Sequence, residues 1–195
     1  MRVALFAVGS AVTADVEESC ARAGWTVTMA IRNFPGPSWA SEEVPLVESG
    51  DVSIRDPVLL PLFSPANRRA AWADAVARGA TVFPVLIDPT AILPRRIAIA
   101  EGVYVNAGCV IGAGSLLGRF VFINRAASLG HHADVGDFAS VGPGVTVAGG
   151  VTIGAGAMLG AGAVVLPNVR IGADAVIGAG CVVRHDVPAG GRFVG

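Results

Sequence analysis

The chain has 195 residues and a net charge of −1, and 53% of its residues are hydrophobic. This length allows one or two domains. The charge offers no basic surface for nucleic acid or an anionic membrane, and no apolar run reaches the ~20 residues of a membrane span. The first residues lack the pattern of a signal peptide, and three cysteines, an odd number, fit a reduced compartment. We therefore expect a cytoplasmic protein that binds neither nucleic acid nor a membrane.

The first 88 residues alternate between segments typical of strands and segments typical of helices. Strands are predicted over residues 3–8, 25–31, 58–63 and 80–87, and helices over 13–23 and 65–78. Thr13 is expected to cap the first helix and Gly24 to end it, while Ser64 caps the second helix ahead of Pro65. Residues 32–45 predict a loop. This order predicts a small α/β domain with a parallel, Rossmann-like sheet.

The second half of the chain is a repeat of six residues. From Leu93 to Val183, every sixth residue is Leu, Ile or Val, and the register never shifts. Helices and simple strands have periods of 3.6 and 2, so neither explains the pattern. A short strand followed by a tight turn does, and stacked units of this kind form a solenoid. Cys109 and Cys181 fall four coils apart, roughly 19 Å at the usual strand spacing, so they cannot form a disulfide within one chain.

The repeat resembles the hexapeptide-repeat acyltransferases. In that family three hexapeptides form one triangular coil of a left-handed parallel β-helix, which implies about five coils over residues 89–195. The order of a small Rossmann-like domain (1–88), the junction Asp88-Pro89-Thr90-Ala91 and an unbroken solenoid resembles one branch of bacterial sugar acyltransferases. That branch includes the sialic-acid O-acetyltransferases and the nucleotide-sugar N-acetyltransferases of bacillosamine and perosamine biosynthesis. The resemblance implies acetyl-CoA as co-substrate, a sugar as acceptor and a homotrimer.

His131 is the main candidate for catalysis. The sequence from Ile123 to Phe138 matches the segment in which this branch places its catalytic histidine. The resemblance implies that His131 is a general base, taking a proton from the acceptor amine or hydroxyl as that group attacks the acetyl thioester. An ordinary imidazole is mostly neutral at pH 7 and suits this role. The alternative is an exposed histidine on a turn, without a catalytic role.

The residue after His131 departs from the family pattern. The branch has Asp or Glu there, to orient the ring and favour its charged form, but this chain has His132. A neutral imidazole can orient its neighbour, yet it cannot stabilise an imidazolium as a carboxylate does. Asp134 and Asp137 are the nearest acids in the sequence. Asp137 also fits a turn, so Asp134 is the preferred supporting acid.

Further site residues follow from the resemblance. Gly149 comes 18 residues after His131, one coil further along. Its amide N–H is expected to point at the thioester carbonyl and to stabilise the oxyanion. Ser140, Ala161 and Ala179 are expected to contact the pantetheine arm of the coenzyme in a groove between subunits.

The candidates for binding the acceptor are weaker. The loop Gly9-Ser10-Ala11 follows the first strand, where the branch holds a nucleotide phosphate with backbone N–H groups and a helix N-terminus. Its later glycines are missing. The acid pair that often follows the second strand is replaced by Arg32 and Asn33. Arg32 and, within the histidine segment, Asn124 complete the predicted substrate-binding set.

A metal site is not expected. The chain has three histidines. His131 and His132 are adjacent and would point apart on a strand, and His185 is three coils away. Two functions stay open. One is an acetyl-CoA-dependent acetyltransferase acting on an amino or hydroxyl group of a sugar, which the resemblance implies to be nucleotide-linked and bound by residues 1–88. The other is a trimeric β-helix protein that has lost acyl transfer and is not catalytic. The first has an intact histidine segment, whereas the second explains the missing acid and the altered glycine loop.

Overall fold

The computed structural model describes residues 1–33, 36–50 and 52–194. Its first part is a four-stranded parallel sheet with two helices, and its second part is a parallel β-solenoid. Within the described residues, no helix is long and apolar enough to cross a membrane.

The amino-terminal sheet is built from β1 (Arg2–Phe6), β2 (Thr26–Arg32), β3 (Leu46–Glu48) and β4 (Val58–Leu59), in the order β3-β2-β1-β4. All its pairings are parallel. Helix α1 (Val12–Arg22) connects β1 to β2, and α2 (Pro65–Ala77) follows β4. After β3 the chain crosses to the other side of β1, so the order in which strands are added to the sheet reverses between β1 and β4.

The helix boundaries agree closely with the sequence, but one cap does not. Ser64 caps α2 as predicted, accepting a hydrogen bond from the Asn67 amide, and Gly24 follows the end of α1 with a φ of +70°. Thr13 is not the cap of α1, because Ala11 occupies that position. The Thr13 hydroxyl is buried and donates to the Val8 carbonyl at 3.4 Å, which fixes the β1–α1 loop instead.

One strand prediction was wrong, and one strand was not predicted. The strand expected over 80–87 shrinks to β5 (Leu86–Ile87), which pairs with the solenoid strand at Tyr104–Val105 and not with the amino-terminal sheet. The pairing is possible because the chain turns at Asp88 directly into the first coil. In addition, β3 was not predicted after the loop over 32–45, since three residues carry too little periodicity. Phe34 and Pro35 of that loop lie outside the described residues.

The solenoid strands form three parallel sheets, which we call the first, second and third faces. The first face contains β5, β7 (Tyr104–Val105), β10 (Phe122–Ile123), β13 (Ser140–Val141), β16 (Met158–Leu159), β19 (Val176–Ile177) and β21 (Arg192–Phe193). The second contains β8 (Val110–Ile111), β11 (Ser128–Leu129), β14 (Thr146–Val147), β17 (Val164–Val165) and β20 (Val182–Val183). The third contains β6 (Ile97–Ile99), β9 (Ser115–Leu117), β12 (Asp134–Val135), β15 (Thr152–Ile153) and β18 (Arg170–Ile171).

Strands 18 residues apart stack in register, as in Phe122 with Ser140 and Asp134 with Thr152. The aliphatic residue of each hexapeptide points inward, and together these residues make the continuous core of the solenoid. Cys109 and Cys181 are unpaired and buried, as expected. The predicted parallel β-solenoid is therefore confirmed. Its left-handed winding, its number of about five coils and the Rossmann-like classification of the first part stay predictions.

The amino-terminal part covers the first face through two phenylalanines of the solenoid. Phe120 and Phe138 lie at the edge between the third and first faces, stacked with ring centroids 4.9 Å apart. Both have left-handed backbone φ values, 55° and 59°, which cost a non-glycine residue some free energy. In return their rings are buried against Phe83 and Trp72, so apolar burial offsets the strain.

Arg68 of α2 joins the two parts without a counter-ion. The residue is 2% exposed, and among the described residues its guanidinium has no carboxylate partner. It donates to oxygen atoms of Leu62, Phe63, Phe120, Phe138, Ala139 and Ser140. Burial, with a contribution from Arg69, lowers the pKa of Arg68 to about 9, so it remains charged at pH 7. These hydrogen bonds hold α2 against two successive coils of the solenoid.

A second polar contact holds α1 at the start of the solenoid. Asp88 is fully buried and accepts hydrogen bonds from Ser19 (2.7 Å), from Arg22 (2.8 Å) and from the amide and hydroxyl of Thr90 (3.0 and 2.6 Å). Burial raises the pKa of Asp88, but the hydrogen bonds from Thr90, Arg22 and Ser19 outweigh it and hold the pKa at about 2.

We expect Asp88 to make folding stability dependent on acid. Because its pKa is lower in the folded state than in the unfolded state, its contribution is present above about pH 4 and is lost as the pH falls through about 2. The shift corresponds to about 2 kcal/mol. Asp88→Asn should lower the free energy of unfolding in urea by about this amount at pH 7 and should weaken its dependence on pH below 4. Glu42→Gln, at an exposed carboxylate, is the control, and equal behaviour of the two variants would contradict the assignment.

Candidate active site

His131 and His132 lie on the turn between β11 and β12, at the edge where the second and third faces meet. This edge is opposite the first face, on which the amino-terminal part packs. Both side chains are exposed. The turn places two imidazoles side by side at the surface of the solenoid.

The ring of His131 lies over Gly149 of the next coil. A Cβ atom added at Gly149 would be 2.5 Å from Nε2 and 2.6 Å from Cε1 of His131, so only glycine leaves room for the ring in this position. The backbone φ of Gly149 is not left-handed, so the requirement comes from space and not from the turn. Within the described part of the chain, the Gly149 amide has no hydrogen-bond acceptor. The predicted pair is therefore in contact, and the Gly149 N–H is free to bind an acceptor.

The other nitrogen of His131 faces its neighbour. The Nδ1 atoms of His131 and His132 are 3.0 Å apart, and the two rings are nearly perpendicular, at 80°. His132 has a left-handed φ of 56°, which turns its side chain back toward His131 rather than away from it. The expectation that the two side chains diverge was therefore wrong, because they belong to a turn and not to a strand.

The acid preferred from the sequence does not reach the imidazoles. Asp134 is the first residue of β12, on the third face, where it is exposed, and its carboxylate makes no hydrogen bond or ion pair with a described residue. Its outward strand position carries the carboxylate away from the turn. Asp137 has the turn role that the sequence allowed: its carboxylate accepts from the Arg119 amide at 2.8 Å. Within one chain, the hydrogen-bond partner of His131 is His132.

The predicted coenzyme contacts separate into two groups. Ser140 is fully buried beneath the amino-terminal part, where its hydroxyl donates to the Phe63 carbonyl (2.6 Å) and accepts from Arg68 (3.0 Å). It cannot touch a coenzyme, and that prediction was wrong because the sequence did not show which face the first part covers. Ala161 and Ala179 are exposed and stack at the edge between the first and second faces. One chain therefore holds Gly149 and these alanines on different edges.

A cavity of about 390 Å³ opens in the amino-terminal part, at the carboxyl ends of its strands. Ala7 after β1, Asn33 after β2, and Asn67 and Asp74 of α2 line it. The Asn33 side chain donates weakly to Asp74 at 3.4 Å, and its carbonyl oxygen is buried without a partner among the described residues. Ligands of open parallel sheets bind at the carboxyl ends of the strands, close to the point at which the strand order reverses. The sequence analysis missed Asn67 and Asp74, because the periodicity of a helix does not show which of its polar residues face a cavity.

The predicted acceptor residues have mixed outcomes. Gly9, Ser10 and Ala11 form the loop from β1 to the start of α1, and all three are at least partly exposed. Arg32 is already engaged, since it pairs with Glu48 and donates to the Gly36 carbonyl. Asn124 is buried and was wrongly predicted. Its side-chain oxygen accepts from Asn106 (3.0 Å) and from the amide of Arg125 (2.8 Å), an amide ladder that supports the solenoid turn.

No group of three His, Cys, Asp or Glu side chains in the described part of the chain is arranged to hold a metal ion.

Comparison with known proteins identifies the chain's family. A model described as bacterial transferase hexapeptide (six repeats) matches residues 150–185. A mutant of perosamine N-acetyltransferase from Caulobacter crescentus, solved with CoA and GDP-perosamine, is 30% identical, with a TM-score of 0.90. The match covers all of this chain and 93% of that one. The chain belongs to the hexapeptide-repeat sugar acyltransferases. The protein is thus an acyltransferase.

Two further structures resemble this acyltransferase over its whole length. The acetyltransferase domain of PglB from Neisseria gonorrhoeae FA1090, in complex with acetyl coenzyme A, is 26% identical over 96% of its chain, with a TM-score of 0.88. WeeI from Acinetobacter baumannii AYE, 19% identical over 97% of its chain with a TM-score of 0.78, shares the fold. A comparison with curated protein sequences finds no match.

Proposed function

We propose that the protein transfers an acetyl group from acetyl-CoA to an amino or hydroxyl group of a nucleotide-linked sugar. The observation that carries the proposal is the contact between the His131 ring and Gly149, whose amide N–H has no acceptor among the described residues. Relatives of full-length similarity bind CoA or acetyl-CoA, and one of them binds GDP-perosamine.

The chemistry is a direct attack on the thioester. Nε2 of His131 takes the proton from the acceptor amine or hydroxyl while its nitrogen or oxygen forms a bond to the acetyl carbonyl carbon. The carbonyl oxygen becomes an oxyanion, which the Gly149 N–H stabilises. Collapse of this intermediate breaks the carbon–sulfur bond. The imidazolium of His131 then gives its proton to the departing thiolate, which leaves the ring neutral for the next cycle.

The nucleotide-sugar is proposed to bind at the carboxyl ends of β1 and β2. The cavity beside Asn33 and Asp74 has polar groups for a base or a sugar, and one buried carbonyl oxygen there lacks a donor. The loop Gly9–Ala11 leads into the N-terminus of α1, where the helix dipole favours a phosphate. Coenzyme contacts at Ala161 and Ala179 stay part of this proposal.

We propose that the protein is a homotrimer, and the positions of these parts support assembly of several copies. The cavity belongs to the part that covers the first face, whereas His131 is on the opposite edge of the prism. One chain therefore keeps its own cavity and its own base apart, and a neighbouring copy supplies the missing half. The second face supports such packing, since its outward residues are uncharged and include Val110 and Val182, which are 43% and 38% exposed.

The proposed function is tested with purified protein, acetyl-CoA and a panel of nucleotide-linked amino and hydroxy sugars. Release of the free thiol and the mass of the acetylated sugar are both measured. We expect turnover with at least one amino or hydroxy sugar carrying a nucleotide, and weaker turnover with the same sugar lacking it. Turnover that is equal for both forms would contradict the proposed role of the amino-terminal cavity.

We expect two inactive variants to restore activity when they are mixed. His131→Ala removes the base, and Ala70→Trp fills the cavity from an exposed position on α2. If each site combines the cavity of one subunit with the base of another, trimers assembled from equal amounts of both variants should regain about a quarter of wild-type sites. Sites formed within a single chain would stay inactive, because each chain carries one defect. Light scattering gives the oligomeric state, and a stable monomer would contradict the trimer.

A further inference from the structure

We infer that His132 is a positioning residue that sets the tautomer of His131. The inference rests on the proposed function of His131 as a base and names the group that supports it. Its basis is the contact between the Nδ1 atoms of the two rings, 3.0 Å apart, together with the absence of any carboxylate bonded to either ring among the described residues.

A hydrogen bond between two Nδ1 atoms has one proton and one lone pair. If His131 donates, its Nδ1 carries the hydrogen and its Nε2 keeps a lone pair, so Nε2 is a base. If His132 donates, the hydrogen of His131 is on Nε2, which then cannot accept a proton. Only the first arrangement supports catalysis, and it requires His132 to be neutral and to accept at Nδ1.

The position of Nε2 agrees with the first arrangement. Nε2 is the ring atom of His131 nearest to the Cβ position of Gly149, and no described residue donates a hydrogen bond to it or accepts one from it. With the hydrogen on Nδ1, the lone pair of Nε2 is therefore free to take the proton of an acceptor group that binds beside Gly149. Among the described residues, the acceptor that selects this tautomer is His132.

The backbone fixes His132 in its place. Its φ of 56° is left-handed, and its ring packs against Gly114 of the preceding coil, where an added Cβ would be 2.8 Å from Cδ2 of His132. Phe120 and Phe138 hold the equivalent position on another edge with φ values of 55° and 59°, and Asn168 holds a position of this kind with 63°. The fold therefore accepts aromatic and amide side chains in this conformation, which makes substitutions at His132 informative.

Nitrogen-15 NMR of histidine-labelled protein at pH 8 tests the tautomer directly, without any turnover. The chain has three histidines, and His185→Gln removes the one outside the pair. We expect His131 with hydrogen on Nδ1 and His132 with hydrogen on Nε2. In His132→Phe, which keeps a ring but has no acceptor, His131 should become a mixture of tautomers. Hydrogen on Nε2 of His131 in the wild type, or an unchanged tautomer in His132→Phe, would overturn the inference.

Kinetics test the consequence for catalysis. His132→Phe should lower kcat about tenfold with little change in the KM for acetyl-CoA, as expected for the loss of one orienting hydrogen bond. His132→Asn, whose amide oxygen accepts again, should recover most of this loss, and His132→Asp should equal or exceed the wild type because a carboxylate also favours the imidazolium. Equal kcat in the wild type and His132→Phe contradicts the inference even if His131 proves to be the base.

A pair of glycine variants tests the same role from the neighbouring coil. Gly114→Ala and Gly144→Ala place alanine at similar left-handed φ values, 77° and 64°, but only the first meets the His132 ring, since nothing lies within 4 Å of the second. We expect Gly114→Ala to lower kcat about as much as His132→Phe and to shift the tautomer of His131, with Gly144→Ala as the control for backbone strain. Equal effects of the two alanines would mean that the position of His132 does not matter.

Discussion

His131→Ala is expected to lower kcat by about 100-fold or more, while the KM for acetyl-CoA changes little. The substitution removes the proton acceptor from the edge between the second and third faces and removes no core contact, since the side chain is exposed. A general base contributes about 10²- to 10⁴-fold, so the loss should far exceed any effect of slightly altered binding. Steady-state kinetics with the best nucleotide-sugar of the panel measure it.

His185→Ala is the matched control for this experiment. His185 is also exposed and follows His131 by 54 residues, three coils further along the chain. It should keep wild-type kcat. A His131→Ala variant that matches the control in kcat would remove the base assignment. A large increase in KM alone would instead indicate that His131 binds a substrate and does not take part in proton transfer.

The solenoid could be predicted from sequence because one short period repeats many times. Each hexapeptide places Leu, Ile or Val in the core and a turn after it, so local preference and tertiary packing agree at every repeat. The contact of His131 with Gly149 follows from the same arithmetic, since positions 18 residues apart stack. Predictions that depended only on this register agree with the structure.

Predictions that depended on the direction of a side chain, or on packing between distant parts of the chain, were wrong. Asp134 is three residues from His131, but the first strand position points it away from the imidazoles. Ser140 occupies a position in the stacked coils at which the resemblance implied a coenzyme contact. Arg68 and Phe63, which precede it by more than 70 residues, cover it. No periodic signal reports which face of a solenoid another domain covers. The left-handed φ of His132 was equally hidden, because positive φ is unusual for residues other than glycine.

Gly149→Ala is expected to lower kcat at least tenfold, although it adds a single methyl group. Its Cβ would be 2.5 Å from Nε2 of His131, so the ring has to leave its position over the amide. The φ of Gly149 suits alanine, and the turn itself should not be strained. Thermal unfolding should therefore stay close to that of the wild type while kcat falls. Loss of folding together with activity would mean that the methyl group disturbs the stacking of the coils.

The double variant His131→Ala/Gly149→Ala separates the two possible causes of this loss. If the methyl group acts by displacing the ring, it has nothing to displace once His131 is alanine, and adding it should cost less than about threefold further. If Gly149 acts independently, by letting the acetyl group approach its N–H, the second substitution should cost as much in the variant as in the wild type. Since the ring of His131 occupies the space in which the Cβ would lie, we expect the first result, with the two residues behaving as one catalytic unit.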